Sequence, residues 1–319
     1  MNNVQNTDPR QPIAPSGARY IKLGAAGCWE RLCIEEGTLR LGYYEVPHES
    51  GLSGDVDAIR KIYLNCGINT RVATGYTNQV CDFYQASSDI LWVTFADGFL
   101  WWCFADPEVI YLGSDVSTFP DGSRFRRAID GWSNKSIKGN PLRISELNGQ
   151  LTSVARFQGT ICNVNAFDYL VRKINDDDLP EVIDAKMAKT ALQASIHNLL
   201  TLLTWQDFET LTELIFAKSG WQRIGVTGGV QKTVDLELLL PTTGERAFVQ
   251  VKSKTNQAQL DDYIERLSNR EEARMFYVYH STQDNLNSDD PRVILVGPSR
   301  LSEMVLEAGL LDWLMLKVS

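Results

Sequence analysis

A chain of 319 residues has room for two domains at roughly 150 residues each. With 44% apolar and 22% charged residues it reads as globular, not disordered. The net charge of −9 excludes a chain that is basic throughout, as many nucleic-acid binders are, but leaves room for a local basic groove.

No apolar run approaches the ~20 residues of a membrane span, and the polar, Pro-rich start lacks the apolar stretch of a signal peptide. A cytoplasmic protein is therefore expected. The six cysteines (Cys28, Cys33, Cys66, Cys81, Cys103, Cys162) form no C-x-x-C pair and have no histidine at ligand spacing, which argues against zinc and against a disulfide scaffold.

In chain order, residues 1–18 read as a flexible tail and 19–162 as a β-rich domain. Its aromatic and β-branched runs are separated by turn signals. Asp97-Gly98, between ILWVTF and FLWWCF, predicts a tight hairpin, and Asp55–Asn65 has helical spacing. Residues 163–203 read as a helical connector with an acidic break at Asp176–Pro180 and an apolar face of Met187, Ala191, Ala194, Ile196 and Leu199. Residues 204–319 form a second domain: a helix from Trp205 with Gly220 as C-cap, strands at Trp221–Thr227, Val234–Leu240 and Ala247–Lys252, a helix over Gln257–Asn269, strands at Met275–His280 and Val293–Val296, and a helix from Ser299. The whole is α/β: an α-β-β-β-α-β core behind a barrel-like, α+β first domain.

Chemistry concentrates at Asp235 and Gln250-Val251-Lys252. Residues two apart on a strand share a face, so Gln250 and Lys252 point together. A loop over Pro241–Glu245 would pair Leu240 with Arg246 and bring Asp235 opposite about Val251, beside that pair. A carboxylate and an amide oxygen suit a hard cation such as Mg²⁺ or Mn²⁺. A neighbouring lysine can activate a water or stabilise charge on phosphate.

The arrangement Phe208-Glu209 on a helix, Gly220-Trp221, Asp235 and then Q-x-K resembles the PD-(D/E)XK nuclease superfamily, in particular the catalytic domain of Mrr-type restriction endonucleases. The resemblance implies a restriction-endonuclease-like core, with Glu209 as the helix acid, Asp235 and Gln250 as metal ligands with Glu209, and Lys252 as the catalytic lysine. Glu213 and Glu237 are alternates. Here Gln250 stands where Glu is commoner, and the approach to Asp235, Gly228–Thr233, has no glycine adjacent to it.

The first domain, with Tyr20–Gly24, Cys28-Trp29-Glu30, Ile34–Gly37 and Leu41–Tyr43, resembles the opening of PUA-like/EVE-like domains, some of which hold a flipped modified base. Trp101 and Trp102 are adjacent on one strand and must face opposite ways, so one is expected to line a pocket, Trp102 being favoured; Trp29 is a third base-contact candidate. Arg124, Arg126 and Arg127 are the candidate phosphate contacts. The expectation is a Mg²⁺-dependent, modification-dependent restriction endonuclease acting on double-stranded DNA as a homodimer, since each chain holds one site. Rival readings are a repair or branched-DNA nuclease and a catalytically decayed nucleic-acid-binding module.

Overall fold

The structure is a computed structural model, and it describes residues 11–224, 235–267 and 274–319. The chain divides into two compact units, ending at Leu179 and starting at Pro180. The division falls within the stretch expected to be a connector. The sequence readings at 225–234, the Gly-rich approach to Asp235 among them, and at 268–269 lie outside the described residues.

The first unit runs β1 (Gly17–Ile21), α1 (Glu30–Glu36), β2 (Thr38–Leu41), α2 (His48–Ser53), α3 (Val56–Asn65), α4 (Thr70–Gln85), β3 (Ile90–Ala96), β4 (Phe99–Ala105), β5 (Ile110–Tyr111), β6 (Arg124–Ser133), α5 (Gly149–Thr152), β7 (Ile161–Asn163) and α6 (Phe167–Asn175). Its sheet has the order β2-β6-β4-β3-β1-β7, with β5 on β6, and curls into a half-barrel. The predicted hairpin joins β3 to β4: Asp97 (φ 51°) and Gly98 (φ 81°) both take the left-handed region that a two-residue turn between twisted strands requires.

Helices contribute far more here than the sequence suggested. α4 spans 16 residues, capped by Asn69, whose side chain accepts from Val72 N–H at 3.0 Å. Its Ala73, Thr77, Val80 and Tyr84 recur at helical spacing on the buried side. α3 and α4 pack one face of the sheet with Trp92 and Cys103, while Leu170 and Ile174 of α6 pack the other with Val93 and Trp102. The chain is tied down before residue 18: Ile13 N–H donates to Asn175 Oδ1 and Asn175 Nδ2 donates to Ile13 O, both at 2.9 Å.

The second unit runs α7 (Pro180–Leu200), α8 (Trp205–Lys218), β8 (Gln222–Arg223), β9 (Leu236–Leu240), β10 (Glu245–Thr255), α9 (Gln257–Leu267), β11 (Arg274–Thr282), β12 (Val293–Val296), α10 (Pro298–Glu307) and α11 (Leu311–Val318). Its sheet has the order β12-β11-β10-β9-β8, antiparallel from β8 to β10 and parallel from β10 to β12. Parallel neighbours need a crossover, and α9 supplies it between β10 and β11. Thr204 caps α8, accepting from Asp207 N–H at 3.2 Å. Val249 and Val251 pack with Phe208, Leu211 and Ile215 of α8, whereas Phe248 packs with Leu260 of α9 and with Tyr277 and Tyr279. The strand alternation therefore serves two cores at once. In α7, Ile196 is buried, but Met187, Ala191 and Ala194, expected on the same face, are exposed.

Candidate active site

The connection between β9 and β10 is four residues, Pro241–Gly244, so Leu240 pairs with Glu245. That is one residue shorter than the expected loop, and the register shifts by one. Continuing the ladder past Leu236↔Val249 sets Asp235 across from Gln250. Asp235 N–H donates to Val249 O at 3.2 Å, and Asp235 Oδ2 accepts Val251 N–H at 2.7 Å and the Gln250 side-chain amide. The carboxylate is thus fixed by backbone and side chain together.

Gln250 is 2% exposed. Its Nε2 is spent on Asp235, and its Oε1 is buried with no hydrogen-bond partner. A buried unpaired amide oxygen carries a desolvation penalty of about 1–3 kcal/mol, which folded proteins rarely accept without a purpose. Gln250 faces Asp235 through its amide nitrogen; with the amide turned about, the two side chains would offer a hard divalent cation oxygen donors. These two residues therefore fit such an ion. Among the described residues, no group of three or more His, Cys, Asp or Glu side chains is placed to hold a metal.

The charges around this pair are mutually responsive. Burial pushes the Asp235 carboxyl above its ordinary range, against the pull of Val251 N–H, Lys252 and Gln250. Glu209 on α8 is also raised, by burial and then by the Asp235 charge, with Lys252 and Arg223 pulling it back. The Asp235 carboxylate thus makes Glu209 hold its proton more tightly. Burial pulls the Lys252 ammonium down, but the hydrogen bond to Tyr263 and the Asp235 carboxylate outweigh this and hold it above its ordinary value. Lys252 Nζ lies 5.1 Å from the centre of the Tyr263 ring. This lysine is a stable cation poised for electrostatic work, and a poor proton acceptor at neutral pH.

Glu209, Asp235, Gln250 and Lys252 thus form one electrostatic neighbourhood. The alternates have other neighbours. Glu213 is engaged by Arg223 Nη1 at 2.8 Å, and Glu237 lies opposite Phe248, one same-face step nearer the turn. Tyr263 and Arg223 belong beside the site and were not anticipated. Tyr263 sits on the helix immediately after the Q-x-K strand, a position from which an aromatic can reach back over that strand.

The structure contradicts three of the contacts assigned to the first unit, Trp102, Arg124 and Arg126. Trp102 is 4% exposed, and its indole N–H donates to Lys135 O at 2.8 Å. Trp101, half-buried, donates to Ala96 O at 3.2 Å and packs against the opposite cluster, that of Trp92 and Cys103. The strand is covered on both faces: Trp102 is a core residue and Trp101 is packed in part. Arg124 and Arg126 are each 0% exposed. Arg124 donates to Ser123 Oγ, Tyr84 OH, Tyr43 O and Val46 O; Arg126 donates to Asp106 O, Phe83 O and Ala105 O. Buried and spent on internal acceptors, neither can contact a phosphate. Arg127 alone of the three is exposed. No helix among the described residues is long and apolar enough to cross a membrane. Comparison of the chain with family models, with curated proteins and with solved structures finds no match.

Proposed function

We propose that the second unit is a divalent-metal-dependent endodeoxyribonuclease and that the chain acts on double-stranded DNA. The observation that carries this reading is the buried, unpaired Gln250 Oε1 beside Asp235, within electrostatic reach of Glu209 and Lys252. Asp235 and Gln250 would hold Mg²⁺ or Mn²⁺, with Glu209 contributing. When bound, such an ion supplies charge neutralisation of the phosphate and acidification of a water. Lys252, held as an ammonium against Tyr263, stabilises the negative charge that builds on the phosphate oxygens in the transition state. Glu209, raised above its ordinary range, is the better acceptor for the proton of the attacking water. Target choice falls to the first unit, and preference for modified bases is part of this proposal through its PUA-like resemblance, with surfaces other than Trp102 doing the reading.

Supercoiled plasmid, unmodified or carrying modified cytosine or adenine, incubated with Mg²⁺, Mn²⁺ or EDTA, tests the reading. Metal-dependent nicking or linearisation that Asp235→Ala abolishes supports it. Indifference to modification moves the function toward repair or branched-DNA cleavage. A second reading, a nucleic-acid-binding module without cleavage, draws on the absence of a three-ligand acidic group among the described residues. It takes over if the chain binds duplex DNA but cuts none of these substrates with either metal.

A further inference from the structure

Arg223 lies in the edge strand β8, directly opposite Leu238 of β9. Opposed residues of an antiparallel pair share a face, and Leu238 is buried in the core beneath α8. Arg223 is therefore on the α8 side of the sheet. There its Nη1 meets Glu213 Oε2 at 2.8 Å, with both side chains about a third exposed. Glu213 and Glu209 are four residues apart on α8 and share one helix face. A guanidinium that reaches Glu213 thus stands beside Glu209 as well.

As a stabilising device this pair is weak, because partly exposed ion pairs contribute little. It does fix where the guanidinium stands. One donor is committed to Glu213, and among the described residues the remaining donors have no hydrogen-bond acceptor. Their planar fork matches two oxygens of a phosphate, a geometry that lysine does not offer. The two cations nearest Glu209 then have different origins: Lys252 from the central strand and Arg223 from the edge strand.

Resting on the nuclease reading, we propose that Arg223 is a phosphate-contacting residue of the site, with Glu213 as its positioning residue, the two together seating a phosphodiester of duplex DNA beside Glu209. This gives Glu213 a role other than metal ligation.

The test uses the full chain and a labelled duplex oligonucleotide, with Ca²⁺ in place of Mg²⁺, followed by fluorescence anisotropy over a salt series. Each phosphate contact contributes about 0.9 to the slope of log affinity against log salt. Arg223→Gln should lower the slope by about that amount and leave Tm within about 4 °C of wild type. Arg223→Lys should restore the slope but not the single-turnover cleavage rate in Mg²⁺. Glu213→Gln should keep the slope and slow cleavage at saturating DNA, because the guanidinium is then present but unaimed. An unchanged slope in Arg223→Gln, beside a wild-type chain that binds duplex with normal salt dependence, overturns the proposal and leaves the nuclease reading standing. Should Arg223→Gln unfold, a Lys variant that is folded and cleaves at the wild-type rate overturns it equally. A wild-type chain with no salt-dependent duplex binding removes the nuclease reading itself.

Discussion

Two sites, one in each unit, bury polar groups in opposite ways. In the first, Arg124 and Arg126 are sealed from solvent and their guanidiniums are met by carbonyls, a serine and a tyrosine; burial pulls Arg126 down to about 10. Aromatic faces complete the enclosure, with Arg124 lying 5.5 Å from the Tyr84 ring centre and Arg126 5.7 Å from that of Trp92. In the second, Gln250 leaves an oxygen unmatched, and burial raises the proton affinity of both Asp235 and Glu209. A buried polar group that is fully met holds a fold together. One that is left short carries a desolvation cost.

The largest expected effects break this contrast at its poles. Lys252→Ala should cut the cleavage rate by about 10³-fold or more at unchanged Tm, since the side chain stabilises a charge that exists only during reaction; single-turnover assays with thermal melts check it. Arg124→Ala should do the reverse. It leaves Val46 O without its donor and opens a cavity in the core, costing about 2–5 kcal/mol of stability by denaturant titration, and leaves the metal requirement of the second unit as it was.

A smaller effect lies at His280, which is 3% exposed, with Nε2 buried and unpaired and Phe208 4.8 Å away edge-on. Burial, then His197 and Lys254, lowers its proton affinity. A base with a depressed folded value contributes stability that is complete above its unfolded value, 6.5, and is lost as pH falls below it. Melts from pH 8 to 5 should therefore decline, and His280→Leu should flatten that decline. An equal decline in the variant would shift the cause to other groups. The smallest effect sharpens the comparison: Gln250→Glu adds a charge where an oxygen is already placed and should lower the Mg²⁺ needed for half-maximal cleavage several-fold. Loss of cutting with normal metal binding would mean that Gln250 serves the DNA or the water instead.

The second unit was the more legible in sequence because Gln250 and Lys252, two apart on one strand, share a face whatever the loop length. The shift from a five- to a four-residue connection moved Asp235 from near Val251 to across from Gln250, onto the face of that pair. The first unit was less legible for three reasons. The α4 segment, TRVATGYTNQVCDFYQ, carries β-branched and aromatic residues that mimic strand composition, and its cap at Asn69 was the overlooked signal. Adjacent tryptophans say nothing about whether one or both faces of a strand are covered. An arginine run reads the same whether its side chains reach solvent or, as at Arg124 and Arg126, thread inward to carbonyls. Tyr263 and Arg223 come to the site through tertiary approach, which no local spacing encodes.

The strand order of the first unit has a consequence for synthesis. β1 lies between β3 and β7 in the sheet, paired in parallel with residues about 70 positions later and antiparallel with Ile161–Asn163. The earliest strand made is thus completed by the last one. Until about 163 residues have left the ribosome, β1 has one open edge, and its pairing with β3 waits on α1 to α4. The hairpin of β3 and β4 and the packed pair α3 and α4 need no such delay, being local in sequence. Nascent chains halted just before and just after β7 emerges should therefore differ sharply in protease resistance, with Gly17–Ile21 protected only in the longer one.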